Sequence, residues 1–501
     1  MADKPDIVIT KVSDVHAKIE CEKSVFMELS DYMTFMSPNA KFDKRYRRRQ
    51  WDGKIRLLNG KNKKIAVGLV PRLASFAKKQ GYVVSVDPTI ATIVGAVTPE
   101  KIHQLVVSQN ISRKEDDGTI IPLDMYAYQY SGVYYAAKER RCLLVSPTAS
   151  GKSAMIYSIA RMLMQVTKKR TLILVSTTSL VEQIFSDFVD YSGINGWDTQ
   201  KHCQKIYSLF DKSVSKDIVI STWQSIYEFD ESYFRQFDSI IVDEVHLAEA
   251  DSICGIMEKL KKCPYRIGLT GTLKDAKVHQ LVLEGMFGAV HTLEKTKSLM
   301  DKGIITKLKI NMVELHHKQA DCEIVKKLNY QKEMEFISQH EKRNIFIKNL
   351  ALKQKNNCLV LFQYIEKHGE LLRSLLERDS PENRPVYYVV GETAVIEREK
   401  VRALCEANDG CIILASYGTF STGINVKNIH SIVFASPYKS KIKVLQSIGR
   451  GLRKFSGKDE LVLFDIVDDF GGDNYAVSHA NARIEIYDKE EFDYEIFKIK
   501  F

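Results

Sequence analysis

The sequence predicts an α/β protein in which two tandem parallel-sheet lobes follow a small basic α+β domain. The first observation behind this prediction is length, because 501 residues exceed what one hydrophobic core usually supports. The second is a pattern of short apolar runs alternating with helical segments, which occurs twice and is typical of parallel sheets covered on both faces. The third is the contrast with the first 95 residues, which lack this pattern and contain a dense basic segment.

Residues 1–95 are predicted to form the small α+β domain. Their periodicity indicates, in chain order, strands DIVITKV and HAKIECE, helix SVFMELSDYMTFM, strand KIRLLN, helix VPRLASFAKKQG and strand YVVSVD. The stretch SQNISRKEDDGTIIP loses apolar periodicity, and residues 96–120 are predicted to be a linker.

The two lobes are predicted over residues 121–300 and 301–470. The strands of the first lobe are RCLLVS, TLILVS, DIVIST, SIIVDE and RIGLTG, and those of the second are CLVLFQ, VYYVVG, CIILAS, SIVFAS and LVLFDIVD. Residues 471–501 form a C-terminal tail whose structure the pattern leaves open.

Composition excludes several classes of protein. A hydrophobic fraction of 45% and a charged fraction of 27% are typical of globular domains rather than of fibrous or disordered chains. No apolar run is long enough to cross a bilayer, and the N-terminus does not read as a signal peptide, so we expect a cytoplasmic protein without a membrane partner. The nine cysteines lack metal-ligand spacing, which predicts reduced structural thiols.

The segment KFDKRYRRRQWDGKIRLLNGKNKK, residues 41–64, is the most basic part of the chain. Its net charge and interleaved aromatic side chains favour nucleic acid, because Lys and Arg neutralise phosphates and aromatic rings stack on bases. The predicted phosphate contacts are Arg47, Arg48, Arg49 and Lys54. Trp51 either stacks on nucleic acid or packs in the domain core. A solvated loop or a targeting-type basic run stays open as an alternative.

The stretch LLVSPTASGKSAM predicts a phosphate-binding loop, since an apolar strand is followed by a tight turn and then by a helix whose N–H groups face the anion. Gly151, Lys152 and Ser153 match the usual pattern, although Ser146 stands where Gly is expected. Lys152 is predicted to contact the β- and γ-phosphates of ATP, and the Ser153 hydroxyl to bind Mg²⁺. The remaining cradle residues are Thr148, Ala149 and Ser150.

The run SIIVDEVH places two carboxylates at the end of another predicted strand. Asp243 is predicted to hold Mg²⁺ through water, and Glu244 to polarise the water that attacks the γ-phosphate. Together with the phosphate loop, this pair predicts an ATP hydrolase.

The run LQSIGRGLRK in the second lobe contains Gln446, Arg450 and Arg453. A helical pitch would place both arginines on adjacent turns of one face, from which their guanidinium groups could grip a γ-phosphate as arginine fingers. A simple basic helix is the alternative.

These motifs resemble those of the superfamily 2 helicases of the DExH subgroup, in which Ser at the first position of the phosphate loop is an ordinary variant. The resemblance implies two RecA-like lobes, a Gln129 that reads adenine, and residues His246, Thr270 and Thr272 that couple the nucleotide site to the nucleic acid. It also implies side chains that grip the backbone of a single strand, unless they are mere helix caps: Thr177, Thr178, Gln183, Thr222, Gln224, Ser416, Thr419 and Thr422.

In the run that contains Ser416, Thr419 and Thr422, Gly423 allows a tight turn and is assigned to nucleotide binding. Many members of the superfamily carry Asp two residues later, where this chain has Asn425. The contacts made by that carboxylate are therefore not transferred to this chain.

Within the superfamily, the chain resembles the bacteriophage UvsW-type DNA helicases along its whole length, including the segments WDGKIRLL, GLVPRLASFAKKQGY and ASYGTFSTGINVKN. This resemblance implies ATP-driven remodelling of branched DNA: fork regression, Holliday junction migration, and R-loop and D-loop unwinding. It implies contact with branched, duplex and single-stranded DNA, with RNA–DNA hybrid, and with other recombination or replication proteins, in the host cytoplasm for a phage-encoded chain. An ATP-dependent RNA helicase or RNA chaperone, and the motor subunit of a restriction system, remain as alternatives.

Overall fold

Three sheets organise the part of the chain that the computed structural model describes, namely residues 4–38, 40–90, 97–115, 118–167, 169–208, 210–247, 251–273, 276–423 and 426–501. The first sheet has five strands, and the other two have seven strands each. The chain divides into two compact units, of which the first comprises residues 1–146 with 151–293 and the second residues 147–150 with 294–501.

The N-terminal domain is built on the five-stranded sheet, in the order β5-β6-β2-β1-β7. Its elements are β1 (Ile7–Lys11), β2 (His16–Cys21), α1 (Lys23–Tyr32), β3 (Thr34–Met36), α2 (Lys44–Arg47), β4 (Lys54–Arg56), β5 (Leu58–Asn59), β6 (Lys64–Ala66), α3 (Val70–Lys79) and β7 (Val84–Val86). The predicted elements occur in the predicted order, but β3, α2 and β6 were not predicted, KIRLLN forms the two strands β4 and β5, and the first helix ends at Tyr32 rather than at Met36. Thr34 to Met36 pair antiparallel with Lys54 to Arg56, since β-branched and aromatic residues suit a strand better than a helix end.

The segment predicted as a linker is structured. It contains α4 (Pro99–Ser108), β8 (Ser112–Lys114) and β9 (Ile120–Pro122). The Thr98 hydroxyl caps α4 by accepting a hydrogen bond from Lys101 N, and Ile102 and Val106 pack into the core of the following lobe. These two apolar residues, four positions apart, form a stripe too narrow to stand out in the sequence.

Lobe 1 is a parallel sheet in the order β12-β13-β11-β14-β15-β10-β16, with helices on both faces. Its elements are α5 (Ala127–Glu139), β10 (Arg141–Val145), α6 (Lys152–Val166), β11 (Arg170–Val175), α7 (Thr178–Tyr191), α8 (Thr199–His202), β12 (Cys203–Ile206), β13 (Ile218–Thr222), α9 (Trp223–Ile226), α10 (Glu231–Phe234), β14 (Phe237–Val242), α11 (Asp251–Lys259), β15 (Tyr265–Thr270), α12 (Lys277–Phe287) and β16 (Ala289–Thr292). The five predicted strands are confirmed, and the two that sequence reasoning missed, β12 and β16, are the edges.

Lobe 2 is a second parallel sheet, in the order β19-β20-β18-β21-β22-β17-β23. Its elements are α13 (Thr296–Asp301), β17 (Lys307–His316), α14 (Gln319–Val325), α15 (Tyr330–Gln339), α16 (Glu341–Lys353), β18 (Cys358–Phe362), α17 (Glu370–Asp379), β19 (Val386–Val389), α18 (Val395–Ala407), β20 (Ile412–Ser416), α19 (Tyr417–Gly423), β21 (Ser431–Phe434), α20 (Lys441–Gly451), β22 (Glu460–Asp469), α21 (Tyr475–Lys489) and β23 (Tyr494–Lys500). The α/β fold with two tandem parallel-sheet lobes is thereby confirmed.

The C-terminal residues belong to the second sheet. Strand β23 pairs in parallel with β17 over Tyr494 to Lys500, and α21 connects it to β22. Five of the seven residues of YEIFKIK are exposed, as suits an edge strand, and its polar residues interrupt any continuous apolar run that would mark it in the sequence.

The N-terminal domain is fixed to lobe 1 through α12. Gly68 lies so close to this helix that a Cβ at its position would be 2.0 Å from Glu284 O. Arg72 forms a bidentate ion pair with Glu284, at 2.7 Å for the shortest contact, and Leu281 packs into the core of the N-terminal domain. Because α12 follows the loop after β15, the domain is attached next to a segment that the sequence assigns to coupling.

None of the helices in the described parts of the chain combines the length and apolar character needed to span a bilayer. The nine cysteines, all within those parts, form no disulfide bond.

Candidate nucleotide site and nucleic-acid surface

The loop between β10 and α6 has the backbone of an anion-binding turn. Ala149 and Gly151 have φ angles of 68° and 75°, in the left-handed region. Two observations require glycine at position 151. Its φ angle is positive, and a Cβ there would lie 2.4 Å from the Gln129 amide nitrogen. Ser146 N donates to Thr270 O at 2.9 Å, which ties the start of the loop to β15. The N-terminus of α6 then follows at Lys152, as phosphate binding requires.

Lys152 is held between this loop and an acidic residue. Its ammonium donates to Ser146 O at 3.3 Å and lies 4.0 Å from Glu244 Oε1. Both side chains are largely buried, at 11% and 18% exposure. Ser153 occupies the second position of α6 and is half-buried. The position of the Lys152 ammonium is thus set by its contacts with Ser146 and Glu244.

Asp243 and Glu244 follow β14 at the carboxyl edge of the sheet. Asp243 N donates to Leu174 O on the neighbouring strand at 2.9 Å, and its carboxylate accepts Glu244 N at 2.9 Å. Burial, followed by the charge of Glu244, raises the pKa of Asp243 to about 7, although Lys152 opposes this shift. A buried acidic pair of this kind gains stability from a divalent cation, so the residues present fit Mg²⁺.

His246 connects this acidic pair to the loop after β15. Its Nδ1 lies 3.0 Å from the Thr270 hydroxyl and 3.1 Å from Glu244 Oε2. The Thr270 hydroxyl donates its own proton to Thr272 O at 2.9 Å, and therefore accepts from His246 Nδ1–H. The structure thus brings the predicted coupling residues together with the predicted catalytic acid.

Gln129 lies on α5 and is buried against the phosphate loop. Its side-chain oxygen accepts Tyr126 N at 2.8 Å, and its amide donates to Gly151 O at 3.4 Å. In this structure the amide therefore caps α5 and contacts the loop, and its role in reading adenine stays a prediction.

The predicted single-strand contacts of lobe 1 follow two adjacent strands, β11 and β13. Thr177 caps α7 by accepting Leu180 N at 3.3 Å, and the Thr222 hydroxyl lies 2.7 Å from the Ser225 hydroxyl. The Gln224 amide donates to Ser176 O at 3.3 Å, which joins the two segments. Thr178 and Gln224 are exposed, and Gln183 is half-buried on α7. The capping role that the sequence left open thus holds for Thr177, and the nucleic-acid contacts stay predictions.

In lobe 2 the Ser416 and Thr419 hydroxyls lie 2.8 Å apart, where β20 passes into α19. Ser416 Oγ also accepts Thr419 N at 3.2 Å, so this pair starts the helix. Gly423 ends α19. Asn425 and the side chain of Thr422 lie outside the described residues.

Gln446 and Arg450 lie on α20, but Arg453 does not, so the prediction that both arginines share a helix face is wrong. The helix ends at Gly451, with Leu452 as its cap. Leu452 O accepts Thr306 N at 2.9 Å, and Arg453 O accepts the Thr306 hydroxyl at 3.3 Å. These bonds commit the carbonyls to partners outside the helix, so the helical ladder stops.

The basic segment of the N-terminal domain surrounds a cleft of about 690 Å³. Its lining residues are Lys41, Tyr46, Arg47, Arg49, Gln50, Trp51 and Asp52. Arg45 lies over the Trp51 ring at 5.4 Å, and Trp51 Nε1 donates to Lys54 O at 3.0 Å. Trp51 is half-buried and lines the cleft, which argues against the core interpretation; its stacking on nucleic acid stays a prediction.

The arginines of this segment differ in their surroundings. All three arginines from Arg47 to Arg49 are exposed, as is Lys54, but Arg47 also braces the loop by donating to Lys41 O at 3.0 Å. Phe42, one of the interleaved aromatic residues of this segment, is 74% exposed among these cations, although it was not among the predicted contacts.

Comparison with known proteins adds the following. The N-terminal model of the DNA helicase UvsW matches residues 6–87, the model of the type III restriction enzyme res subunit matches residues 102–275, and the helicase conserved C-terminal domain matches residues 341–454. The ATP-dependent DNA helicase uvsW of Enterobacteria phage T4 is 34% identical over 96% of both chains. The probable helicase D10 of Escherichia phage T5 is 21% identical over 70% of this chain and 73% of its own.

Solved structures agree with these relatives. The crystal structure of T4 UvsW is 32% identical and covers 99% of both chains, with a TM-score of 0.52. Because the match covers 99% of this chain, it includes the N-terminal domain and both lobes. The chain therefore belongs to the family of the phage ATP-dependent DNA helicase UvsW.

Proposed function

We propose that this ATP-dependent DNA helicase remodels branched DNA by regressing forks, migrating Holliday junctions and unwinding R-loops and D-loops. The observation that carries the proposal is the basic cleft of the N-terminal domain, with Trp51 and Tyr46 in its lining and exposed arginines at its edge. Cations hold the phosphates of a duplex, and aromatic rings stack on bases that a branch point leaves unpaired. A surface with both features suits a junction better than a uniform duplex.

The division of labour that we propose follows the chain. Residues 1–95 recognise duplex or branch, residues 121–300 bind ATP together with α4, which packs into their core, residues 301–470 complete the motor, and residues 471–501 complete the second sheet. The attachment through α12 supports this division, because Gly68 and the Arg72–Glu284 pair tie branch recognition to the lobe that carries the phosphate loop.

For ATP hydrolysis, Lys152 neutralises the β- and γ-phosphates while the loop N–H groups of residues 148–151 hold them. Ser153 and Asp243 would hold Mg²⁺, which supplies positive charge to the phosphate oxygens when it is bound. Glu244 orients the attacking water and accepts its proton as the bond between the γ-phosphorus and the bridging oxygen breaks. Arg450 and Arg453 stabilise the charge that develops on the γ-phosphate, and Gln446 acts beside them.

For the DNA strand, we propose that the hydroxyl and amide side chains after β11, β13 and β20 hold the sugar-phosphate backbone. Their positions at strand ends support this, since ligands of parallel α/β sheets bind at the carboxyl edge. The link from Glu244 through His246 to Thr270 supports coupling of hydrolysis to that grip.

The proposal is tested by comparing substrates of equal length and salt: single strand, duplex, fork, four-way junction, and the matching RNAs. We expect the largest stimulation of ATP turnover, and product formation, with forks and four-way junctions. Equal stimulation by linear duplex and by junctions would contradict the branched-DNA proposal while leaving the helicase itself intact. Stimulation by RNA alone would favour the RNA helicase alternative.

A further inference from the structure

Lys458 lies in the turn between α20 and β22, outside every motif described above, and is 5% exposed. Its ammonium donates to three backbone carbonyls: Gly451 O, Arg453 O at 3.1 Å, and Lys427 O at 3.0 Å. An ammonium has three N–H donors, so its hydrogen-bonding capacity is completely used.

The three carbonyls belong to two segments that the sequence assigns to the motor. Gly451 and Arg453 lie at and beyond the end of α20, and Lys427 lies in the segment between α19 and β21. Carbonyls at a helix C-terminus lack helical partners, and a cation there is favoured by the helix dipole. Lys458 therefore cross-links the two segments through their backbones.

The cross-link is unusual because a buried ammonium is expensive to desolvate. Burial, followed by the charge of Arg453, lowers the pKa of Lys458 to about 7, and burial followed by the charge of Lys458 lowers the pKa of the neighbouring His430. An apolar side chain would fill this space without that desolvation. An apolar side chain could not, however, supply the three N–H donors that Lys458 directs at the three carbonyls.

Thr306 contacts the same backbone. Its N–H donates to Leu452 O at 2.9 Å, and its hydroxyl donates to Arg453 O at 3.3 Å. The Arg453 carbonyl thus accepts from both Thr306 and Lys458. The main chain from which the Arg453 guanidinium projects is anchored although it lies outside the helix.

We propose that Lys458 is a positioning residue for ATP hydrolysis, which acts by holding the backbone of Arg453 and of the segment at Lys427 in one arrangement. The inference rests on the proposed role of Arg453. A guanidinium aimed at a transition state loses most of its effect when displaced by about 1 Å, a change that costs up to roughly a hundredfold in rate. Lys458 would thus affect the rate of the chemical step and leave ground-state nucleotide binding almost unchanged.

The test measures kcat and KM for ATP, at saturating forked DNA, in full-length Lys458→Met, Lys458→Arg, Arg453→Ala and the double variant Lys458→Met/Arg453→Ala. Lys454→Met is the matched control, because Lys454 is exposed in the same turn. We expect Lys458→Met to lower kcat by about ten- to a hundredfold with KM within about threefold, and Lys458→Arg to restore part of the loss. The control should match the wild type.

The double variant separates positioning from general stability. If Lys458 acts through Arg453, the double variant is no slower than Arg453→Ala alone, because effects within one unit are not additive. A multiplicative loss, or a Lys458→Met kcat within twofold of the wild type, would overturn the inference. Should Lys458→Met fail to fold, Thr306→Val removes the second donor to Arg453 O and is expected to show the same kcat-specific, non-additive loss at smaller size; additive behaviour there would also overturn it.

The failure of the inference is distinguishable from failure of the proposed function. If Arg453→Ala keeps full turnover, the arginine role itself is wrong. If Arg453→Ala is inactive while Lys458→Met is fully active, only the role of Lys458 is wrong.

Discussion

In lobe 1, strand β14 leads into Asp243 and Glu244, whereas in lobe 2, strand β22 carries the buried carboxylates Asp465 and Asp468. The two sheets are otherwise alike: counted along the chain within each lobe, their strands have the same order, 3-4-2-5-6-1-7. The same scaffold thus carries a pair of acids twice, and their surroundings differ.

In lobe 2 each acid has an arginine of its own. Asp465 accepts from Arg483 Nε at 2.8 Å, and Asp468 accepts from Arg343 Nε at 2.7 Å. Although burial alone would raise it, the pKa of Asp468 falls to about 2 because of Arg343 and His317. In lobe 1 the pKa of Asp243 rises instead, and the nearby cation is Lys152, 4.0 Å from Glu244.

The difference teaches how to separate a structural carboxylate from a functional one. The lobe 2 acids are fully buried and each is neutralised by an internal guanidinium, whereas Asp243 and Glu244 are half-buried. In the pair Asp243 and Glu244 the folded state raises the pKa of Asp243. A raised pKa of this kind is typical of a carboxyl that binds a positively charged ligand. The predictions below test this contrast.

The largest expected effect is on turnover in lobe 1. Lys152→Ala removes the cation that faces Glu244 and the phosphates, so ATP hydrolysis should fall by about a hundredfold or more. DNA binding without nucleotide should persist, as measured by anisotropy. Lys201→Ala, an exposed lysine of the same lobe, serves as the control; near-normal turnover in purified Lys152→Ala would remove the phosphate-loop assignment.

The next effect is on the stability of lobe 2. Asp468→Asn leaves Arg343 buried without its counter-charge, which should destabilise the lobe by about 3–5 kcal/mol. Because the folded-state pKa of Asp468 is depressed, the wild-type contribution is present above the unfolded pKa of about 3.9 and is lost as pH falls toward 2. Urea unfolding between pH 3 and pH 7 measures the destabilisation by Asp468→Asn and the pH dependence of the wild-type stability. Asp473→Asn, at an exposed position, is the control, and equal stability of the two variants would contradict the structural role.

The third expected effect is on the attachment of the N-terminal domain to α12. This helix and α21 are equivalent, because each connects the sixth and seventh strands of its lobe. Helix α21 buries Arg483 against Asp465, whereas α12 carries the N-terminal domain on Glu284. Gly68→Ala places a Cβ against the α12 backbone and should destabilise this attachment by about 1–3 kcal/mol. Fork unwinding should fall more than DNA-independent ATP turnover. Gly60→Ala, where a Cβ meets nothing within 4 Å, is the matched control; indistinguishable variants would show that the attachment is not needed.

The smallest effect is on DNA affinity. Replacing Arg47, Arg48 and Arg49 by Ala should weaken fork binding and reduce its salt dependence, because each lost phosphate contact removes about 0.9 from the logarithmic slope. Arg48→Ala alone separates charge from structure, since Arg47 also braces the loop. Lys78→Ala/Lys79→Ala is the control, because it removes two exposed charges elsewhere in the domain. An unchanged slope in the triple variant would make the segment a solvated surface.

The sequence could predict the fold and the nucleotide residues because both leave local patterns. Continuous apolar runs mark the central strands, and Gly151 to Ser153 lie next to each other in the chain. Strands β12, β16, β17 and β23 and the stripe of α4 were missed, since in these elements apolar residues are few or alternate with polar ones. The end of α20 before Arg453 depends on Thr306 and Lys458, and the attachment of Gly68 to α12 joins positions more than 200 residues apart. Such tertiary contacts leave no local signal.

The central claim is that Asp243 is an acid that binds a ligand, whereas Asp465 and Asp468 of lobe 2 support the fold. Asp243→Asn tests it most directly, with ATP turnover and hydrogen-exchange protection of β11 and β14 measured on the same protein without nucleotide. Because the folded-state pKa of Asp243 is raised, its ionisation opposes folding increasingly between pH 4 and pH 7. We therefore predict that turnover is lost while protection at pH 7.5 is unchanged or higher. Retained turnover, or a loss of protection as large as that in Asp468→Asn, would contradict the account.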